Sequence, residues 1–439
     1  MRIIRFILVC TFICIAQQSV AQAPPSSDQR VDDLTAKEIF AAMDQRNFAK
    51  LKPVTLSRVW SVVRKGRPID ELKEGFRTTL KFRDGFGRRT NILIDVPQNP
   101  QGILFALHGL GGDRFHLGQG TFDAFAKRNN LILVAPDAQK EPKKQRNEDI
   151  SQIGDILQHW WSYRPEGFVM HLLASLKRTY SIDPNRVYLV GHSMGAFATW
   201  NIGLRYPDRF AALVPMSGGM SRREYLMRKP DSYLRSLLYN ALNTNVLFIH
   251  GAADKVVPVL HSRRTRDGLR KLGYIFDYVE LKDGRHMLDF RESGIMISGI
   301  GKWMQSKRRD PHPKRVRHRA IGDYMMQSFW LRLDQARFPN AEVDAQILPG
   351  NRIKIECRSV DVLTVFIDEK HLNVKKPIKI TVNGMEAFAG VVPINGATVI
   401  ESWLSREDRN LVYRGKVQIK LADLKKAAKK KAPSKGKKS

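Results

Sequence analysis

Arg186-Val187-Tyr188-Leu189-Val190-Gly191-His192-Ser193-Met194-Gly195 carries an apolar, β-branched run straight into a serine set between two glycines. An unbroken apolar run of this length, bounded by turn residues, reads as a strand buried on both faces, as in a parallel sheet. A helix is expected to open at Met194. A chain that passes from strand to helix in so few residues folds back tightly on itself, so the positions two before and two after the serine must be small. The hydroxyl of Ser193 is thereby held up at the end of the sheet, where a base can reach it.

Working outward, two later runs end in residues of complementary chemistry. Asn245-Val246-Leu247-Phe248-Ile249 leads into His250-Gly251-Ala252-Ala253-Asp254, and Phe276-Asp277-Tyr278-Val279-Glu280-Leu281 leads through Asp283-Gly284-Arg285 to His286. The chain order serine, acid, histidine is that of the α/β-hydrolase fold and differs from the orders of the two other common serine-hydrolase folds. The expected roles are Ser193 as nucleophile, His286 as base and Asp254 as the acid that orients it. Asp254 also suits a helix cap, but its place after a strand favours the triad role. Asp283 lies too close to His286 in sequence to be the usual orienting acid. His192, inside the serine turn, reads as a packing and hydrogen-bonding residue, His108 and His250 as residues that brace their loops, and His261 falls on the wrong side of the acid loop.

A nucleophile of this kind needs donors already aimed at the oxygen where charge develops. One is the backbone N–H of Met194. The second is expected in the loop after an earlier strand, where Gly102-Ile103-Leu104-Phe105-Ala106-Leu107 runs into His108-Gly109-Leu110-Gly111-Gly112-Asp113, and the N–H of Leu110 is the candidate.

The segment from Gly102 to about Met287 resembles the secreted esterases grouped with polyhydroxybutyrate depolymerases and feruloyl or acetyl-xylan esterases, and is similar to prolyl-oligopeptidase-like hydrolases. The resemblance rests on Asp183-Pro184-Asn185-Arg186 leading into the GHSMG segment, on Tyr206-Pro207-Asp208-Arg209-Phe210-Ala211-Ala212, and on the HGxxDxxVP pattern that ends at Pro258. It implies a triad on Ser193, Asp254 and His286 and an ester substrate linked to polysaccharide or polyester. Ala196 stands where such families often have a second glycine, a change expected to alter helix packing and leave the chemistry intact.

Six strand-like runs, Ile103–Leu107, Leu131–Ala135, Val187–Val190, Ala211–Pro215, Val246–Ile249 and Tyr278–Leu281, alternate with helical stretches. A hairpin from Phe76 to Val96 precedes them. This alternation predicts an α/β-hydrolase fold, a mainly parallel sheet with helices on both faces. Beyond it, strand-like runs separated by turn residues predict a small C-terminal all-β, sandwich-like domain. The expected organisation is a signal peptide over 1–21, an N-terminal linker and helical segment over 22–75, and a catalytic domain over 76–306. A basic linker over 307–320, a β-rich domain over 321–422 and a disordered lysine-rich tail over 423–439 follow. Within 22–75 a helix is expected over Ala36–Lys50, with Ile39, Phe40, Met43 and Phe48 near one face. Two insertions, Lys140–Gly167 with Trp160, Trp161 and Tyr163, and Met220–Asn245 with Arg222, Arg223 and Arg228, are placed to shape a pocket. Packing and solvation explain those side chains equally well.

The first residues have a positive, an apolar and a small-residue region in order, ending at Ser19-Val20-Ala21, so export to the periplasm, envelope or exterior is expected. Of the three cysteines, Cys10 and Cys14 would leave with the leader. Cys357 then stands alone in a strand-like run, ruling out an intrachain disulfide or a cysteine metal site and reading as a buried strand residue. No metal-ligand spacing occurs among the histidines, and no cofactor is expected. The formal net charge is +31, from 74 Lys and Arg against 43 Asp and Glu. The lysine tail from Lys425 suits electrostatic attachment to an anionic envelope or polysaccharide. It has no interleaved aromatics, so nucleic acid is not expected as a dedicated partner.

These features predict an exported serine esterase working through an acyl-enzyme on Ser193. Two alternatives stay open at this level: a prolyl-oligopeptidase-like peptidase, and an inactive envelope-binding protein with a hydrolase fold.

Overall fold

The computed structural model describes residues 27–45, 47, 51, 56–65, 75–83, 89–120, 122–138, 165–221, 224, 229–288, 296–424 and 426. The expected leader, Phe48, the aromatics Trp160, Trp161 and Tyr163, the arginines Arg222, Arg223 and Arg228, and the tail beyond 426 lie outside these residues.

Eight strands form one sheet: β1 Phe76–Arg83, β2 Arg89–Val96, β3 Gly102–Leu107, β4 Leu131–Pro136, β5 Val187–His192, β6 Ala212–Met216, β7 Asn245–Gly251 and β8 Asp277–Leu281, in the order β1-β2-β4-β3-β5-β6-β7-β8. β1 and β2 pair antiparallel, as does β2 with β4, and every pair from β4 to β8 is parallel. This is the α/β-hydrolase architecture.

Alternation along the central strands explains why they read as unbroken apolar runs. Ile103, Phe105 and Leu107 join one apolar cluster with Leu172, Trp200, Leu204 and Leu269, whereas Leu104 and Ala106 join another with Phe125, Ile300 and Met304. Helices therefore cover both faces. Of the helices α1 Ser27–Asp44, α2 Leu56–Lys65, α3 Asp123–Arg128, α4 Pro165–Thr179, α5 Met194–Arg205, α6 Leu260–Lys271 and α7 Met296–Gln305, α4, α5 and α6 pack on the first face and α3 and α7 on the second. Burying both faces of a strand leaves no room for polar alternation.

The C-terminal part is β-rich, as expected, but differs in detail. β9 Arg315–Ala320, β10 Gln327–Ser328, β11 Leu331–Ala336, β12 Ala341–Leu348, β13 Arg352–Arg358, β14 Val360–Phe366, β15 Ile378–Val382, β16 Met385–Gly390 and β17 Lys416–Lys420 form two sheets, ordered β10-β11-β14-β17 and β16-β15-β13-β12-β9. The basic stretch 307–320, expected as a linker, contains β9 and is no tether. Val316, His318 and Ala320 are buried between Arg315, Arg317 and Arg319, whose guanidinium groups pair with Asp344 and Glu342 on β12. A short 3-10 turn, Asp323–Met325, precedes β10. Cys357 is half-buried on β13 and not fully enclosed.

One helix in this region was not anticipated, α8 Gly396–Leu404, capped by Asn395 accepting from the Thr398 N–H at 2.8 Å. It meets the N-terminal segment, where the helix spans Ser27–Asp44 and so begins before the expected Ala36. Ile39, Phe40 and Met43 of α1 and Val59 and Val63 of α2 share a core with Val399, Ile400 and Trp403.

A buried ion network joins the hydrolase sheet to the β-rich part. Arg309 binds Asp408 at 2.7 Å, the side-chain oxygen of Asn185 at 2.7 Å and the carbonyl of Asp208 at 2.6 Å. Arg406 in turn binds Asp208 at 2.7 Å and the carbonyl of Phe329 at 2.8 Å. Among the described residues no helix is long and apolar enough to cross a membrane.

Candidate active site

The turn after β5 is as tight as its glycines require. Ser193 has φ 53° and ψ −116°, and its N–H donates to the carbonyl of Met216 at 2.8 Å. A Cβ on Gly191 would lie 2.2 Å from the Gly195 carbonyl oxygen, and one on Gly195 would lie 1.9 Å from the Leu107 carbonyl oxygen. Neither position admits a side chain. Ala196 is fully buried, and its methyl occupies the space where a Cβ on Gly218 would come within 2.5 Å. Packing thus accommodates the alanine through a glycine on the neighbouring loop.

Ser193, Asp254 and His286 come together at the C-terminal ends of β5, β7 and β8. The Ser193 hydroxyl lies 2.9 Å from Nε2 of His286, and Nδ1 of His286 lies 2.8 Å from Oδ2 of Asp254. A carboxylate only accepts, so Nδ1 carries the proton and Nε2 is left as the acceptor for the serine hydroxyl. The other Asp254 oxygen accepts from the N–H groups of Val256 and Val257, both at 2.8 Å. Burial by itself would push the Asp254 carboxyl up. Hydrogen bonds from His250 and His286, another from the Val257 N–H and the nearby His286 charge outweigh it, and hold the carboxyl well below its ordinary value. Asp254 is therefore an anion whenever His286 needs one.

Neither the N–H of Leu110 nor that of Met194 has a hydrogen-bond partner among the described residues. Met194 opens α5, where the first N–H groups have no partner within the helix, and Ser193 does not cap it. Leu110 lies on an exposed turn that His108 braces from below. Nδ1 of His108 donates to the Gly109 carbonyl at 2.7 Å, and its Nε2 accepts from the Ala138 N–H at 2.8 Å. Burial lowers the pKa of His108, so it holds this loop as a neutral ring.

Several contacts were not legible in the sequence. Nε2 of His192 donates to the backbone carbonyl of His286 at 2.8 Å, tying the His286 loop to the Ser193 turn. Burial pushes His192 down to about 4, which keeps it a neutral ring beside His286. His116 accepts from the Gly109 N–H at 3.4 Å and meets the His192 ring edge-on, with centroids 5.4 Å apart. His250 reaches Asp254 itself, with Nε2 3.3 Å from Oδ2. Its place in the His-Gly pair, four residues before Asp254, was the available signal. His261 is buried 3.5 Å from Glu224 and away from the serine's base position, and Asp283 is exposed. Among the described residues no group of three or more His, Cys, Asp or Glu side chains is placed to hold a metal ion.

Residues 92–304 match the family described as phospholipase/carboxylesterase. A poly(3-hydroxyalkanoate) depolymerase from Paucimonas lemoignei is 29% identical over 120 residues, covering 27% of this chain and 28% of the relative. A bifunctional acetylxylan esterase/xylanase from Neocallimastix patriciarum is 27% identical over 142 residues, covering 31% of this chain and 19% of the relative. A ferri-bacillibactin esterase from Bacillus subtilis is 24% identical over 162 residues, covering 36% and 52%. The aligned segments thus span about half or less of each relative's length.

Proposed function

We propose that this α/β-hydrolase cleaves carboxylic esters through an acyl-enzyme on Ser193. The observation that carries the reading is the continuous chain from the Ser193 hydroxyl through His286 to a buried, ionised Asp254, at 2.9 and 2.8 Å. His286 takes the hydroxyl proton as Ser193 attacks the ester carbonyl. The unpartnered N–H groups of Met194 and Leu110 receive the oxyanion. His286 then returns the proton to the leaving alcohol, and Asp254 stabilises the imidazolium in between. Water, activated by the same histidine, releases the acid. Every step is supplied by side chains and backbone, with no cofactor.

The matched depolymerase and acetylxylan esterase support an ester carried on a polyester or a polysaccharide, and the N-terminal leader pattern supports export. The lysine-rich tail suits attachment to an anionic envelope or polysaccharide. The test is turnover of p-nitrophenyl acetate and butyrate by the wild-type protein and by Ser193→Ala. Release of nitrophenol that depends on Ser193 is the expected result. Equal release from both proteins, or none from a folded wild type, contradicts the reading.

A further inference from the structure

Asp254 has a second histidine on it. Nε2 of His250 lies 2.8 Å from the carbonyl oxygen of Val257 and 3.3 Å from Oδ2 of Asp254, and Nδ1 lies 2.7 Å from the hydroxyl of Ser262 at the start of α6. A carbonyl only accepts, so Nε2 of His250 carries a proton, and that proton faces the same carboxylate oxygen that holds His286. Oδ2 therefore sits between two imidazole N–H groups, with a serine hydroxyl at the far side of each ring. The pattern Ser262–His250–Asp254–His286–Ser193 is nearly symmetrical about the acid. The side chains of His250 and Asp254 are both wholly buried, so this inner arm meets neither substrate nor solvent.

Resting on the ester-cleaving reading above, we infer that His250 is a positioning residue that sets the orientation of Asp254 and, through it, of the base. His250 closes the turn from Asp254 to Val257 at both ends. It holds the Val257 carbonyl while Asp254 holds the Val256 and Val257 N–H groups. The base loop rests on the same strand end, since a Cβ on Gly251 would lie 2.1 Å from the Gly284 carbonyl oxygen and 2.7 Å from that of Arg285. A shift of His250 therefore reaches Asp254 directly and the His286 loop through backbone contact. Ser262 fixes the ring from the other side. Its hydroxyl lies 2.7 Å from Nδ1 and 3.4 Å from the Gly218 carbonyl, on the loop beside the nucleophile.

The experiment compares wild type, His250→Leu, His250→Gln and Ser262→Ala. The readouts are kcat and KM on p-nitrophenyl butyrate, the rate of Ser193 phosphonylation by an alkyl fluorophosphonate, and the thermal midpoint. Leucine keeps much of the volume but has no donor, whereas the glutamine amide reaches the place of Nε2 with an N–H. His250→Leu is expected to lower kcat by about 10- to 100-fold, the span covered by a hydrogen bond to a charged group, with KM nearly unchanged and phosphonylation slowed in parallel. His250→Gln recovers most of that loss. Ser262→Ala lowers kcat by about threefold at unchanged KM. Turnover of His250→Leu at the wild-type rate overturns the inference, and so does an equal loss in the leucine and glutamine variants. If neither histidine variant folds, Ser262→Ala decides: wild-type kcat overturns the inference. A wild-type protein that neither turns over ester nor takes up the phosphonyl group on Ser193 sinks the ester-cleaving reading itself, a different outcome.

Discussion

Gly195→Ala is the sharpest perturbation the nucleophile turn offers. The added methyl would sit 1.9 Å from the Leu107 carbonyl oxygen, 2.6 Å from its carbonyl carbon and 2.9 Å from the His108 carbonyl oxygen. All three are backbone atoms at the end of β3, which is paired on both sides and fully buried, so no side chain can turn away to make room. Restoring an ordinary contact of 3.4 Å from 1.9 Å requires a movement of about 1.5 Å between Ser193's turn and the loop that carries Leu110. A misplacement near 1 Å costs on the order of 100-fold in rate, and overpacking costs about 1–3 kcal/mol in stability. Gly195→Ala is therefore expected to lower kcat/KM on p-nitrophenyl butyrate by about 100-fold or more while the protein still folds. Gly203→Ala on the same helix is the control. The atoms nearest its methyl would be side-chain carbons of Leu213, at 2.3, 2.4 and 2.9 Å, so it should cost stability and spare turnover. Wild-type kcat/KM in Gly195→Ala, or equal losses in both variants, would refute the reasoning.

Other outcomes follow from the buried charges. Arg309→Met leaves Asp408, among the described residues, with Lys177 at 3.9 Å as its remaining cationic partner and should cost about 3–5 kcal/mol in urea unfolding, whereas Arg315→Ala, on a more exposed pair, should cost under about 1 kcal/mol. An Arg309→Met loss as small as that of Arg315→Ala would mean the network adds little. Burial lowers the pKa of His192 to about 4 in the folded chain, below the ordinary 6.5, so the unfolded state binds more protons between those values. The contribution from His192 is therefore complete above pH 6.5 and is lost as pH falls toward about 4, by roughly 3 kcal/mol. His192→Gln, which keeps a donor for the His286 carbonyl, should flatten that slope in a series of thermal melts. Ending the chain after Gln305 removes Arg309, Trp330 and α8 and bares the shared core, so the truncated hydrolase should lose its near-ultraviolet circular dichroism. A soluble, active fragment would contradict that.

The hydrolase sheet was legible because its strands are buried on both faces and leave unbroken apolar runs such as Leu131–Pro136. The serine, acid and histidine singled out by their places after strands are linked in one hydrogen-bonded chain through His286, since parallel strands end on one side of a sheet. The second sheet was harder to read. In β9 every other residue is an arginine whose charge is satisfied by β12, so the run reads as a solvated linker until its partner strand is known. β12, Ala341–Leu348, has acids and a glutamine at alternate positions for the same reason. The bracing character of His192 and His250 was legible, but their partners were out of reach because each depends on a contact made far along the chain or across a turn: His192 meets a carbonyl 94 residues away. Sequence spacing carries no record of such contacts. The same holds for Arg309, whose partners Asn185, Asp208 and Asp408 come from three separate segments.

The central claim is that Ser193 carries the acyl group. The direct measurement is to quench the wild-type protein in acid during turnover of p-nitrophenyl acetate and to map the acetylated peptide by mass spectrometry. The account predicts acetyl on Ser193, absent in Ser193→Ala and in His286→Ala. Acetyl found on another residue, or nitrophenol released at the wild-type rate from Ser193→Ala, would contradict it.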